Sequence, residues 1–430
     1  MYGHTDRKKG RFKKIAIVII LPFLLLLLSY GAYKVFFIPA PEISGLEQFS
    51  LLPKKKNITL TAKNIQKLQI ALKQGRLVKT IIDFQGDEVE RLFEITVKPK
   101  ELGLHDGSAR LFVYAKNGLL KKKELILPVE IDTRPPVLQI IRSPFQLKSG
   151  STGLALLKAK GADRVYIKEN ENIFTAYKLK DSPNEYVVIF PARYDIERKT
   201  VFYAVAEDRA GNQTIKSLRT RVVIKNFRHS NIRINDDFIN RVVYPLLGET
   251  EVDDPVEAFK TVNEKWRKRD TEQLHEIGMR SADSPLWKGA FLQLKNSKVM
   301  AKYGDKRTYI YNGRPISKSI HLGYDLASVS NAPVPAANSG RVVYADDLGI
   351  YGNAVVIDHG LGLMSLYGHM SEIRVTPGQD VKKGEIIGYT GSTGFAGGDH
   401  LHFGILVQGF EVSPLYFWDA RWVRNNLEIQ

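Results

Sequence analysis

The sequence predicts a mainly β, multidomain chain that begins with a transmembrane helix. Three observations predict it. A basic leader runs into a long apolar segment at the start, alternating apolar stretches punctuated by Gly and Pro fill the middle, and histidines gather at the end. A length of 430 residues allows about three modest domains, each with its own core.

Arg7, Lys8, Lys9, Arg11, Lys13 and Lys14 form a basic leader over residues 1–14, and an apolar run follows over 15–37. At about 1.5 Å of rise per residue, about 20 apolar residues cross a bilayer core, so the run is long enough. Positive-inside bias puts the leader in the cytoplasm and everything beyond Pro39 outside it, with Tyr30, Tyr33, Phe36 and Phe37 suited to the outer interface. A cleaved signal peptide shares the basic start and apolar core, but the length of the run and its bulky YGAYKVFFIPAP flank favour retention. The expected location is the cytoplasmic (inner) membrane, single-pass, with the bulk of the chain periplasmic or otherwise extracytoplasmic. The absence of cysteine is compatible with that exterior and by itself decides little.

Over 40–132, the segments NITLTA, LVKTIIDF, RLFEITVKP, ARLFVYAKN and KELILPVEI alternate or run apolar between turn signals, which predicts a β-sandwich-like domain. Consecutive prolines in EIDTRPPVLQII resist both helix and central strand and open a second unit, 133–226. Its VFYAVAEDRAGNQT resembles the late strand and turn of bacterial immunoglobulin-like domains, which implies a spacer or binding sandwich without catalytic residues.

From 227 to 290 the period becomes helical. Asp254-Pro255 followed by Glu257 is a capped helix start, and Val256, Phe259, Val262 or Asn263, and Trp266 then form a packing stripe. The stripe reads first as a packing face against a neighbour; the alternative, motivated by its place directly before the last domain, is that the connector lies across that domain's groove and holds it inactive until displaced.

Charge is uneven. From Asn296 onward twelve Lys and Arg meet twelve Asp and Glu, so the formal +17 lies earlier in the chain. The leader holds six of those cations, and clusters such as Lys54–Lys56 and Lys121–Lys123 add more. They read either as a solvated face or as attraction to anionic membrane or wall polymer. The location argues against nucleic acid as a partner.

Residues 296–430 hold five of the nine histidines. His321 with Asp325 in HLGYD, and His400 with His402 in HLH, have spacings that an extended strand turns to one face, so each pair can converge on an ion. Three protein ligands plus a water is the catalytic zinc pattern, and Asp with two His suits that metal. A structural zinc site favours Cys and four protein ligands, and this chain has no Cys. The surplus imidazoles, with His369 in YGHM among them, match the need for a proton acceptor and an oxyanion donor. His359 in IDHG ends an apolar run and reads as structural. His4, His105, His229 and His275 lack spaced partners and read as surface residues. GSTGFAGGD lacks the GK[ST] ending of a phosphate loop and reads as a tight loop beside a cleft.

In order, HLGYDLAS, APVPAANSGRVVYA, GIYGNAVVIDHG, LYGHMS, GQDVKKGEIIGYTGSTG and GGDHLHFGI resemble the lysostaphin-type (LytM-like) zinc metallopeptidases that cut peptidoglycan cross-bridges. The resemblance covers 296–419. It implies an antiparallel β-sheet peptidase domain with one Zn2+ bound by His321, Asp325 and His402, and catalytic roles for His369 and His400. Asp399 stands where many relatives carry Pro, a departure at the groove rim. The expected function is therefore a membrane-anchored zinc endopeptidase acting on peptidoglycan in cell-wall remodelling, with an envelope regulatory protein as a partner. The alternative is a non-catalytic scaffold or an activator of another wall hydrolase.

Overall fold

The computed structural model describes residues 21–33, 37–248 and 252–428. The chain divides into two compact units, 1–135 with 208–212, and 136–207 with 213–430. The basic leader lies outside the described residues, as do residues 15–20 and 34–36 of the expected membrane helix. The described part of that run, 21–33, is helical, and Leu21, Phe23, Leu24, Leu26 and Leu28 on it are exposed. Among the described residues, no helix is long and apolar enough to cross a membrane.

In the first unit, the expected sandwich is instead a single six-stranded sheet. Strands Lys56–Gln74 and Leu77–Val97 form one long antiparallel hairpin, and Gly107–Asn117 pairs along the far side of the first of them. Period-two alternation turns Leu68, Ile70 and Leu72 inward to meet Leu111 and Val113 in one core. Register shifts at Ile65/Lys67 and Ile70/Ala71 mark bulges, which bend a strand of this length. Alternation predicts which side chains face inward but does not say whether a second sheet or the same sheet covers them.

The second unit opens with two four-stranded sheets between residues 137 and 217, the sandwich expected over 133–226. Leu157, Ile167, Phe190 and Phe202 fill its core. Within the DRAGN turn, Asn212 N–H donates to Asp208 Oδ1 at 2.8 Å.

The C-terminal part is built on an eight-stranded antiparallel sheet that includes Tyr324–Ala327, Leu401–Val407, Leu363–Gly368, Asn353–Asp358 and Gly340–Asp347 as successive neighbours. Both its faces are covered. On one face, Leu154, Val187 and Ile189 of the sandwich share a core with Tyr324, Phe403 and Ile405. Gln408, in the turn after Leu401–Val407, joins the two parts: its Oε1 accepts from Thr175 N–H at 2.7 Å, and its Nε2 donates to Thr175 O at 3.0 Å and Ile189 O at 2.8 Å.

The connector covers the other face. Its first part is a strand, His229–Ile234, paired parallel to Asp305–Tyr311, which corrects the expectation of a wholly helical segment. Helical stretches follow over 236–247 and 255–278. Asp254 caps the second as expected, its side chain accepting from Glu257 N–H at 2.8 Å, with Pro255 in the first turn. Phe259 and Val262 are fully buried and share a core with Ile350 and with Val356, Met364 and Leu366 of the sheet. Asn263, on the same stripe, lies within a π-helical stretch, Thr261–Trp266, and donates to Ser317 Oγ at 2.8 Å.

Candidate metal centre

The first positional cause is strand register. Asp325 and His402 are direct partners on adjacent antiparallel strands, and opposite residues in such a pair share a face. His321 ends the strand Arg314–His321, and Asp325 lies in the separate strand Tyr324–Ala327, so the expected single strand through both does not exist. A turn at Leu322-Gly323 brings them together instead. A Cβ on Gly323 would lie 2.5 Å from His402 Nε2 and 2.8 Å from Phe403 O, so no side chain fits there.

His369 takes φ +63°, a left-handed conformation uncommon outside glycine, between the strands Leu363–Gly368 and Met370–Ile373. Its N–H donates to Tyr351 O at 2.7 Å, which holds the kink. His400 precedes Leu401–Val407 and bridges to Gly391. The structure thus brings together all five site residues expected from the sequence.

Three of the rings are oriented by backbone carbonyls. His321 Nδ1 faces Lys302 O at 3.1 Å, His369 Nδ1 faces Thr393 O at 2.8 Å, and His400 Nδ1 faces Gly398 O at 2.7 Å. A carbonyl only accepts, so each Nδ1 carries a proton and Nε2 is the atom each ring presents to the site. His321 Nε2, His402 Nδ1 and Asp325 Oδ1 then stand 2.9–3.1 Å from one another. Three acceptor atoms this close repel unless a cation or a shared proton sits among them. They also fit a metal, because one point can lie about 2 Å from all three, the usual distance for zinc to nitrogen and oxygen. Among the described residues, no other group of His, Asp and Glu side chains brings three such atoms close enough to hold one ion.

Arg307 completes the surroundings. Its guanidinium donates to Asp325 Oδ2 at 3.1 Å, leaving Oδ1 for the triangle, and its Nε is buried with no hydrogen-bond partner among the described residues, 3.8 Å from Asp305 Oδ2. Nothing in the histidine spacing pointed to Arg307. The available signal was a charged residue in the strand DKRTYIY, just before HLGYD.

Burial opposes the charge on Asp325, but the neighbouring imidazoles, His321 foremost, outweigh it and hold the carboxyl well below its usual range. Burial pushes His402 down to about 4 against the Asp325 hydrogen bond. It also lowers His369 well below its ordinary value, with His400 and His402 adding to the effect. For His400, burial works against the charged form, yet the hydrogen bond and charge of Asp325 prevail and raise it.

The site opens into a cleft of about 220 Å³. Ile232, Phe238 and Arg267 of the connector line it, together with Tyr309 and the Phe395–Gly397 loop. Phe395 packs against both Phe238 and Phe259, with ring centroids 5.6 and 5.5 Å apart. The connector therefore forms a wall of the cleft. At the rim, Asp399 Oδ2 accepts from Asn331 N–H at 2.9 Å and Ser330 Oγ–H at 3.2 Å, tying two loops together.

The remaining histidines divide. His359 is fully buried, with Nδ1 at 2.7 Å from Ser339 O and Nε2 at 2.8 Å from Ser365 Oγ, in agreement with its structural reading. His275 is not the surface residue expected: its ring packs on Phe410 at 4.6 Å, and its Nδ1 is buried without a hydrogen-bond partner among the described residues. His105 and His229 are exposed, and His4 lies outside the described residues.

Residues 319–414 match the family model described as peptidase family M23. Over 96 residues the chain is 40% identical to the DD-carboxypeptidase/endopeptidase Mpg of Neisseria meningitidis serogroup B, covering 22% of each protein. Over 103 residues it is 39% identical to the peptidoglycan DD-endopeptidase ShyA of Vibrio cholerae, covering 24% of each. The chain thus spans under a quarter of the length of these curated relatives. Among solved structures, it is 31% identical to the catalytic domain of lysostaphin from Staphylococcus simulans, covering 30% of this chain and 98% of that one at a TM-score of 0.26. The C-terminal domain of this chain belongs to peptidase family M23, the LytM type.

Proposed function

We propose that the chain is a membrane-anchored zinc endopeptidase that hydrolyses peptide cross-links of peptidoglycan from the extracytoplasmic side of the cytoplasmic membrane. The observation that carries this is the triangle of acceptor atoms from His321, Asp325 and His402, with two more imidazoles presenting Nε2 beside it. His321, Asp325 and His402 would hold the ion, and a bound zinc supplies Lewis acidity toward the scissile carbonyl and the attacking water.

The protein's own groups do the rest. His369 and His400 stand side by side, in contact, with ring centroids 4.7 Å apart. Each has Nδ1 committed to a carbonyl, so only Nε2 reaches the substrate. His369, which burial keeps neutral, suits acceptance of the water proton. His400, on which Asp325 favours the proton, suits donation to the carbonyl oxygen as negative charge develops there. The connector wall and the Phe395 loop would border the bound peptide strand.

The test is digestion of purified sacculi by the full chain in detergent, beside its His400→Ala version, with mass analysis of the released muropeptides. Loss of cross-linked dimers with the wild type alone is the expected result, and the product masses name the bond. Unchanged dimers despite stoichiometric bound zinc would overturn the catalytic reading in favour of docking or activation.

A further inference from the structure

The first unit carries a feature that the peptidase chemistry does not use. The turn joining the strands Gly107–Asn117 and Lys121–Ile131 presents Leu119 and Leu120 at 77% and 60% exposure, followed at once by Lys121, Lys122 and Lys123. Two bare leucines beside three lysines are costly for a surface that meets only water.

The charge at this turn is concentrated further by register. Lys67 is the direct partner of Lys116, and Lys116 is the direct partner of Lys122, so three lysines form a row across three neighbouring strands. Like charges directly opposite each other destabilise a sheet. Lys122 finds Glu124 at 3.0 Å, and Lys67 lies over the Tyr114 ring at 5.9 Å. Lys116, Lys121 and Lys123 make no ion pair among the described residues. An external anionic partner relieves that repulsion.

The turn also has a fixed address. Asn117 Nδ2 donates to Pro39 O at 2.9 Å. Pro39 follows Tyr33, the last described residue of the exposed apolar helix, by six positions, and a fully extended chain of that length reaches at most about 20 Å. The Leu119–Lys123 turn is thereby held near the end of the segment read as the membrane anchor. The other lysine run, Lys54–Lys56, is placed differently. Lys56 Nζ donates to Leu51 O, and Leu51 pairs with Glu130 at the opposite end of the Lys121–Ile131 strand.

From these relationships we infer that the Leu119–Lys123 turn is a second membrane contact: the two leucines enter the interfacial layer, and the lysine row faces anionic headgroups. Exposed apolar side chains flanked by lysines match both layers of a bilayer interface, whereas an anionic wall polymer offers nothing to the leucines. The inference rests on the membrane-anchored reading above. It adds a second fixed point, so the first unit does not swivel about a single helix.

The chain contains no cysteine, so Leu119→Cys supplies a unique site for an environment-sensitive fluorophore at an exposed position. Arg76→Cys, in the turn of the long hairpin at the opposite end of the strand Gly107–Asn117, is the control. The labelled full chain is reconstituted into phosphatidylcholine vesicles with and without about one third phosphatidylglycerol. The expected result with anionic vesicles is a blue shift and loss of aqueous iodide quenching at position 119 only, reversed when Lys121, Lys122 and Lys123 become Glu. A chain that floats with vesicles but keeps a wet label at 119 overturns this inference and leaves the anchor standing. Protection that survives the lysine reversal, or sacculus binding with the label still wet, also overturns it. A chain that does not float overturns the anchor with it, while its sacculus-cleaving activity remains a separate result.

Discussion

Asp325 Oδ1 lies 3.0 Å from His402 Nδ1 across one rung of an antiparallel ladder, and its other oxygen is taken by Arg307. A single carboxylate thus meets the His321 and His402 rings through one oxygen and is steadied through the other. The consequences for metal binding and turnover separate cleanly.

Asp325→Asn and His402→Ala are expected to lose zinc, whereas His400→Ala and His369→Ala are expected to retain it and lose about 10²-fold or more in turnover. Metal analysis of dialysed protein beside a sacculus digest distinguishes the two classes. Full activity in either catalytic variant would remove that residue from the mechanism.

Arg307→Met leaves Asp325 Oδ2 without its donor and should weaken zinc binding by about 10- to 100-fold, the usual effect of losing a group that orients a ligand. Competition with a chromophoric chelator measures it. An unchanged affinity would make Arg307 a packing residue.

Gly323→Ala is expected to reduce zinc affinity although it removes no ligand. The added methyl group would meet His402 Nε2 at 2.5 Å and Phe403 O at 2.8 Å, so the ring or the strand must shift. Overpacking of this kind costs about 1–3 kcal/mol, read from urea denaturation of the metal-free protein.

Burial lowers His359 from 6.5 to about 4, far from any proposed ligand role. Above its unfolded value the ring is neutral in both states and has no effect. As pH falls below that value the unfolded chain takes up the proton first, so stability drops until the pH reaches about 4. A difference of 2.5 pH units corresponds to a loss of the order of 3 kcal/mol. Urea midpoints at neutral pH and near pH 4.5 measure the loss, and His359→Gln should flatten the dependence.

The connector gives the last expectation. Phe259 is fully buried between the connector and the sheet, so Phe259→Ala should cost about 3–5 kcal/mol. Deleting residues 230–290 should yield an unstable domain in place of a more active one. Higher turnover in a folded deletion variant would restore the reading of the connector as a removable plug.

The convergence of His321, Asp325, His369, His400 and His402 was legible because each histidine group is short and the family resemblance orders them along the chain. The cap at Asp254 and the stripe through Phe259 were legible from local spacing alone. Arg307 and Gly323 were not, since their roles arise only when Asp305–Tyr311 and Leu401–Val407 meet the ligand strands. Alternation in segments such as ARLFVYAKN indicated strands, but it could not distinguish a single sheet from two facing ones. His275 looked solitary in sequence because its neighbour, Phe410, lies far along the chain.

Gln408 makes three hydrogen bonds into strands more than two hundred residues earlier. A boundary made this way is a splice, not a tether, so the catalytic half carries no clean cut for recombination. Grafting residues 296–430 onto another protein would strip one side of its sheet of Val187 and Ile189 and the other of Phe259. The portable unit therefore begins at the sandwich. Exchanging that sandwich between relatives would remodel the peptidase from behind.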